Sequence, residues 1–153
     1  MDKATATNFT SALHECYSDL NSFEKEFAQA IDKTKRVWFW NPSRGLFEIP
    51  LLNIGGTKHF NADFIVWVDK GIIAIDPKGD HLIKDDAARK LFYVDKIGNG
   101  PDLFIRLVTG GTWNDQMNKT NDLGFTVWAL RNGKPHPTHA DSVNEAVQIC
   151  LRQ

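Results

Sequence analysis

The stretch that decides the fold runs Phe60-Asn61-Ala62-Asp63-Phe64-Ile65-Val66-Trp67, then Val68-Asp69-Lys70-Gly71, then Ile72-Ile73-Ala74-Ile75-Asp76-Pro77-Lys78-Gly79. Both flanks are short apolar runs rich in β-branched and aromatic residues, and Asp69-Lys70-Gly71 between them forms turns. The segment therefore reads as two neighbouring strands folded back on each other. Side chains alternate along a strand, so Asp76 and Lys78 share one face, Pro77 points to the other, and the turn brings Asp63 towards Asp76. Two carboxylates and an ammonium converging at a strand end suit a hard divalent cation and an attacking water.

Working outward, residues 8–17 read as a helix, with Phe9, Leu13 and Cys16 or Tyr17 at helical spacing. A second helix starts at Asn21 or Ser22 and carries the apolar stripe Phe23, Phe27, Ala30 and Ile31. Arg36 to Trp40 reads as a strand ending at Asn41-Pro42, with Trp38-Phe39-Trp40 in the core and base stacking as the minor alternative. Residues 46–52 are extended, Pro50 makes them an edge strand, and Gly55-Gly56 turns the chain. Beyond the central pair, residues 85–97 read as a crossover helix that opens on Asp85 and Asp86 and stops at Gly98. Lys84, Arg89 and Lys90 near its start either touch nucleic-acid phosphates or form a solvated charged face. Leu103 to Val108 is a strand closed by Gly110-Gly111, and Phe125 to Leu130 is another, turned by Asn132-Gly133. His136-Pro137-Thr138-His139 lacks a companion Cys or His at ligand spacing and reads as a loop. Residues 142–151 form a last helix, capped by Asp141 or Ser142. The order gives an α/β chain: a mixed β-sheet flanked by helices.

The 153 residues fit one domain with a core supplied by five Trp and ten Phe. A formal net charge of −1 advertises no strong electrostatic partner, whereas a protein gripping long nucleic acid alone is usually more basic. Cys16 and Cys150 are far apart, with no CxxC partner, so neither a disulfide framework nor a zinc site is expected, and a reducing cytoplasm is the default. No run approaches the roughly 18 apolar residues of a membrane span, and the N-terminus lacks signal-peptide character, so no membrane partner is expected. Gly110-Gly111 and Gly98-Asn99-Gly100 are turns without phosphate-loop spacing, which argues against nucleotide binding.

Asp63, followed thirteen positions later by Asp76-x-Lys78, has the form of the nuclease motif PD-(D/E)XK. The surrounding segments extend the likeness: Ser22-Phe23-Glu24-Lys25-Glu26-Phe27-Ala28, Val37-Trp38-Phe39-Trp40-Asn41-Pro42, the strand carrying Asp63, and Lys78-Gly79-Asp80-His81-Leu82. Over residues 22–82 the chain resembles the C-terminal nuclease domain of type III restriction enzymes, and the rest agrees in element order. The resemblance implies a restriction-endonuclease-like fold and a metal-dependent endonuclease that hydrolyses double-stranded DNA, using Mg2+ or Mn2+, as part of a restriction system. It implies that residues 1–153 are a single nuclease domain belonging to a longer helicase–nuclease chain in the cytoplasm. Its partners would then be the helicase/ATPase domain of that chain and a methyltransferase subunit. Carried over position by position, Glu24 is the family's helix glutamate, Asp63 its first strand carboxylate, Asp76 its second acid and Lys78 its lysine. The metal ligands implied are Asp63, Asp76, the backbone carbonyl of Pro77, and Glu24 through a water.

These residue types suit the chemistry: Asp63 and Asp76 for the metal, and Lys78 for orienting water or stabilising developing charge. The chain departs from the motif at Ala62, where the family has proline, and at Pro77, which lacks an N–H but keeps its carbonyl. Simpler readings stand beside the catalytic ones. Asp63 and Asp76 also fit solvated strand-end acids with Lys78 as an ion-pair partner. Glu24 also fits the third helical position of a capping box begun by Asn21, with Glu26 as the fallback acid. Two alternatives keep the fold: a non-catalytic DNA-binding module, and a repair or junction nuclease.

Overall fold

The computed structural model describes residues 7–13, 16–17, 20–41, 49–53, 56–60, 62–77, 102–132 and 134–152. In chain order the elements are β1 (Thr7–Asn8), β2 (Cys16–Tyr17), α1 (Ser22–Asp32), β3 (Trp38–Trp40), β4 (Ile49–Asn53), β5 (Gly56–Phe60), β6 (Phe64–Val68), β7 (Gly71–Pro77), β8 (Asp102–Trp113), β9 (Lys119–Arg131), β10 (Lys134–Ala140) and α2 (Val143–Cys150). Six strands form one sheet in the order β10-β9-β8-β7-β6-β3, while β1-β2 and β4-β5 are separate two-stranded pairs. Only β7 and β8 run parallel; the other neighbours in the large sheet are antiparallel. The sheet is therefore mixed and the architecture α/β.

The central hairpin forms as the sequence implies. Val68 pairs with Gly71 across Asp69-Lys70, and the register runs from there to Phe64 opposite Ile75. Alternation then sorts the side chains into two layers. Phe64, Val66, Ile73 and Ile75 join Phe27 and Ile31 of α1 and Val147 and Cys150 of α2 in one apolar cluster. Ile65, Ile72 and Ala74 face the other way and pack with Leu103, Ile105, Leu107 and Trp128. A strand that buries both faces has to be apolar throughout, which is why Ile72-Ile73-Ala74-Ile75 is an unbroken run. The parallel step from β7 to β8 needs a crossover. The helix expected over residues 85–97, with Lys84, Arg89 and Lys90, and the turn at 98–100 lie outside the described residues.

Both described helices start where their caps dictate. The Asn21 side chain accepts from Glu24 N at 2.8 Å while Glu24 Oε1 accepts from Asn21 N at 3.3 Å, a complete capping box. Ser142 Oγ accepts from Glu145 N at 3.1 Å and caps α2.

Four expectations are corrected. Residues 8–17 are not a helix. Thr7–Asn8 pairs antiparallel with Cys16–Tyr17, Ala12 bridges Trp38, and Leu13 is 57% exposed. The cause is tertiary: Leu13 N donates to Trp38 O at 2.8 Å and Ser11 O accepts from Trp38 N at 3.3 Å, backbone groups that a local helix would pair within itself, and the Asp32 carboxylate anchors the segment by accepting from Thr10 N, Thr10 Oγ1 and Ser11 N at 2.7–3.1 Å. Residues 60–67 are not one strand, since Phe60 ends β5 and β6 begins at Phe64, leaving Asp63 in the bend before it. Gly110-Gly111 does not close β8. The strand continues to Trp113 through a register shift, with Gly111 at φ +86° and a would-be Cβ 2.5 Å from Asn121 O. Finally, residues 136–139 lie within β10, an edge strand, where Pro135 and Pro137 are tolerated. Among the described residues no helix is long and apolar enough to cross a membrane.

Candidate functional site

The site lies where β6 and β7 part. Their pairing stops at Phe64 opposite Ile75, while β7 runs two residues further against β8, with Asp76 beside Leu107 and Pro77 beside Val108. One step beyond Phe64–Ile75 the next residues are Asp63, in the bend before β6, and Asp76, on β7. Asn41 supports this end of the sheet: its N–H donates to Asp63 O at 2.8 Å and its side-chain Nδ2 to Ala62 O at 3.0 Å, and it is 1% exposed. The bend that aims Asp63 is thus held by an asparagine from β3's end. The sequence reading treated Asn41 only as a strand terminator; a polar side chain following three aromatics was the available signal.

Asp76 lies on the face of Ala74, and its register partner Leu107 belongs to the same apolar layer. Burial there, and secondarily the negative charge of Asp63, push the Asp76 carboxyl up to about 8. Two carboxylates at the mouth of an apolar layer, with one kept protonated, make a site short of positive charge. Their oxygens are hard donors of the kind that magnesium and manganese take. Among the described residues no group of three or more His, Cys, Asp or Glu side chains is placed to hold a metal ion. Lys78 lies outside the described residues.

Pro77 is the last residue of β7, buried, and its side chain turns to the opposite face from Asp76. It falls beyond the β6 pairing, where a strand tolerates the missing N–H better than it would inside the ladder.

Glu24 is placed differently from the two aspartates. It sits in the first turn of α1, on the sheet face of Phe64 and Ile75, whereas alternation carries Asp76 to the other face. Its Oε1 completes the capping box and its Oε2 accepts from Trp40 Nε1 at 3.1 Å. Trp40 pairs with Phe64, so Glu24 ties α1 to the same end of the sheet as Asp63 without joining the aspartates through any of these contacts. Its role towards a metal rests on the resemblance alone. Glu26 is exposed.

The two histidines of β10 do not form half a metal site: His136 and His139, three apart, point to opposite faces of the strand. His139 Nε2 pairs with Asp141 Oδ1 at 2.9 Å, and its Nδ1 lies 3.2 Å from Thr112 Oγ1.

Comparison with protein-family models, with curated proteins and with solved structures finds no match to this chain.

Proposed function

We propose that this chain is a metal-dependent endonuclease domain of restriction-endonuclease-like fold, hydrolysing phosphodiesters of double-stranded DNA within a restriction system. The observation that carries the reading is that Asp63 and Asp76 are the next residues beyond the last β6–β7 pair, Phe64–Ile75, near enough that Asp63 adds to burial in pushing Asp76 up to about 8. A buried carboxylate with a like charge beside it is costly unless a cation or a proton neutralises it. Mg2+ or Mn2+ fits this oxygen donor set, and when bound would polarise a phosphate and acidify a water. Asp63 and Asp76 hold the cation, and the Pro77 carbonyl, which proline retains, adds a neutral oxygen. Lys78, two positions past Asp76, stabilises charge on the phosphate and orients the attacking water. Asn41 keeps the Ala62–Asp63 backbone in place. On the same reading the helicase/ATPase domain of a longer parent chain and a methyltransferase subunit are its partners, and the cytoplasm its compartment.

The test is cleavage of a plasmid in Mg2+ by the enzyme carrying this domain, alongside Asp76→Ala and Lys78→Ala. Each substitution should cut the rate by roughly 10²–10³ or more without loss of fold, and Asp76→Ala should also weaken Mn2+ binding. Cutting at the wild-type rate by either variant removes that residue from the site.

A second reading, a non-catalytic DNA-binding module of the same fold, draws on Glu24. Both its oxygens are engaged by the cap and by Trp40. Wild-type protein that neither binds Mn2+ nor cuts DNA under any divalent metal would make that reading the better one.

A further inference from the structure

Across the sheet from the aspartates, the face that carries α2 ends in a patch of positive charge. Arg106 interrupts the apolar run Leu103-Phe104-Ile105-Arg106-Leu107-Val108, and its residue is 8% exposed. Its Nε donates to Cys150 O at 3.1 Å, Nη1 to Ile105 O at 3.2 Å and Nη2 to Arg152 O at 2.9 Å. Those are three of the five donors of a guanidinium, so one N–H on each Nη remains unused. The acceptors are neutral carbonyls, and among the described residues no carboxylate pairs with Arg106. Cys150 supplies no counter-charge either, because burial pushes its thiol up to about 12. Buried charges are ordinarily paired.

Arg106 lines a cleft of about 220 Å3 together with Arg131, Arg152, His136 and Thr138, floored by Val127 and Ala129. The register explains the convergence. Leu107 pairs with Trp128, which sets Arg106 next to Ala129, and Ala129 pairs with His136. One row along the same face, Arg131 pairs with Lys134, two like charges directly opposite each other, an arrangement that costs stability in an unliganded sheet. No hydrogen bond or ion pair engages the side chains of Arg131, Lys134 or His136 among the described residues. Arg131 and His136 also line a larger depression of about 660 Å3 that adds Lys134, and Arg152 lines a third that adds Arg36. Asp115 is the single acid lining any of the three among the described residues. Although the chain's net charge is −1, its four described arginines, Arg36, Arg106, Arg131 and Arg152, all line these clefts, which share residues with one another.

We propose that the cleft between Arg106, Arg131, Arg152 and His136 is a phosphate-binding pocket, taking the phosphate group of a phosphomonoester or of a nucleic-acid backbone. Its volume is below the roughly 300–1,000 Å3 of a drug-sized site, as suits one compact anion. The free Nη hydrogens of Arg106 and the fork of Arg131 match the geometry of phosphate oxygens, while Thr138 adds a hydroxyl donor. The flanking clefts give a longer ligand a path along further cations. This pocket is independent of the chemistry at Asp63 and Asp76.

The test is titration of the full chain with inorganic phosphate, with a nucleoside 5′-monophosphate and with a short DNA duplex, followed by amide and arginine side-chain NMR shifts. Shifts should centre on Arg106, Arg131 and His136, and the double variant R131Q/H136Q, which leaves the buried Arg106 and the core intact and relieves the Arg131–Lys134 repulsion, should bind phosphate at least about tenfold more weakly at a Tm no lower than that of the wild type. Duplex competing with phosphate, with a steep loss of affinity in salt, identifies a nucleic-acid backbone as the source; monophosphate binding that duplex does not displace identifies a small phosphomonoester. Phosphate shifts elsewhere on the chain, no binding at millimolar phosphate, or wild-type affinity in the double variant overturns the proposal.

Discussion

Raising the pH should switch on metal binding at the paired aspartates. Asp76 is displaced from its ordinary value of 3.8 to about 8, first by burial and then by Asp63. At pH 7 only about one Asp76 in ten is then ionised, and at about 1.4 kcal/mol per pH unit the cost of ionising it approaches roughly 5–6 kcal/mol as a ceiling. A divalent cation that requires the anion must displace that proton. Its apparent affinity should therefore rise about tenfold per pH unit up to about pH 8 and level off above it, with nearly one proton released per ion bound at pH 7 and almost none at pH 9. The assay is calorimetric titration of Mn2+ into the chain at pH 6, 7 and 9, in pairs of buffers with different ionisation enthalpies. The sign for folding follows from the same displacement. A carboxyl raised in the folded state favours folding below about pH 4 and loses that contribution as pH climbs through about 8. Asp76→Asn should accordingly gain thermal stability over wild type as pH rises across that window while losing metal affinity. Equal Mn2+ affinity at pH 6 and 9 with no proton release would refute the assignment of Asp76 as a protonated ligand.

Asp32→Ala removes the acceptor shared by Thr10, Ser11 and Trp38. It should cost roughly 2–4 kcal/mol in denaturant unfolding and speed amide exchange at Leu13 and Trp38. The hydrogen bonds to Asp32 outweigh its burial and hold its carboxyl low, so this contribution is present above the ordinary carboxylate range and fades as pH falls below it. Glu24→Ala should lower stability by about 1–2 kcal/mol through the lost capping box and Trp40 contact. Glu24→Gln, which keeps an acceptor, should recover most of that loss, and a large fall in Mn2+ affinity in the Gln variant would instead make Glu24 a ligand. Gly111→Ala forces a side chain into φ +86° and against Asn121 O, and should destabilise by roughly 1–3 kcal/mol, read as a drop in Tm.

Several features were legible in the sequence for local reasons. Asn21 and Glu24 stand at capping-box spacing, and the box forms. Ser142 precedes an amphipathic run, and α2 starts after it. Asp69-Lys70-Gly71 lies between two apolar runs, and the hairpin closes with the register that leaves Asp63 and Asp76 next beyond its last pair. Where local signals competed with distant partners, the reading failed. Phe9 and Leu13 sit at helical spacing, yet Phe9 packs edge-on to Trp38 at 4.9 Å while Leu13 stays exposed. Gly110-Gly111 carries a turn signature, yet β9 offers partners on its far side: Trp113 N donates to Thr126 Oγ1, whose hydroxyl donates to Gly111 O. A glycine pair marks backbone freedom, and only the neighbouring strand selects a bulge over a turn.

Alternation is a property of the strand itself, so the sequence alone determined which side chains share a face along each strand, where α1 and α2 begin, and that an acid lies at each side of the central hairpin's open end. Depth and convergence are not local. Asp76 became a perturbed acid because the fold buries it, with Leu107, thirty-one residues downstream, beside it in the parallel pairing of β7 with β8, and because Asp63 lies near it. Arg106, one more charge in the sequence, became a buried guanidinium with hydrogens to spare only because α2 returns its last carbonyls to it and β10 lays His136 two strands away. The environment of a charge is set by atoms that arrive from elsewhere in the chain, and the tertiary structure alone decided which atoms those are.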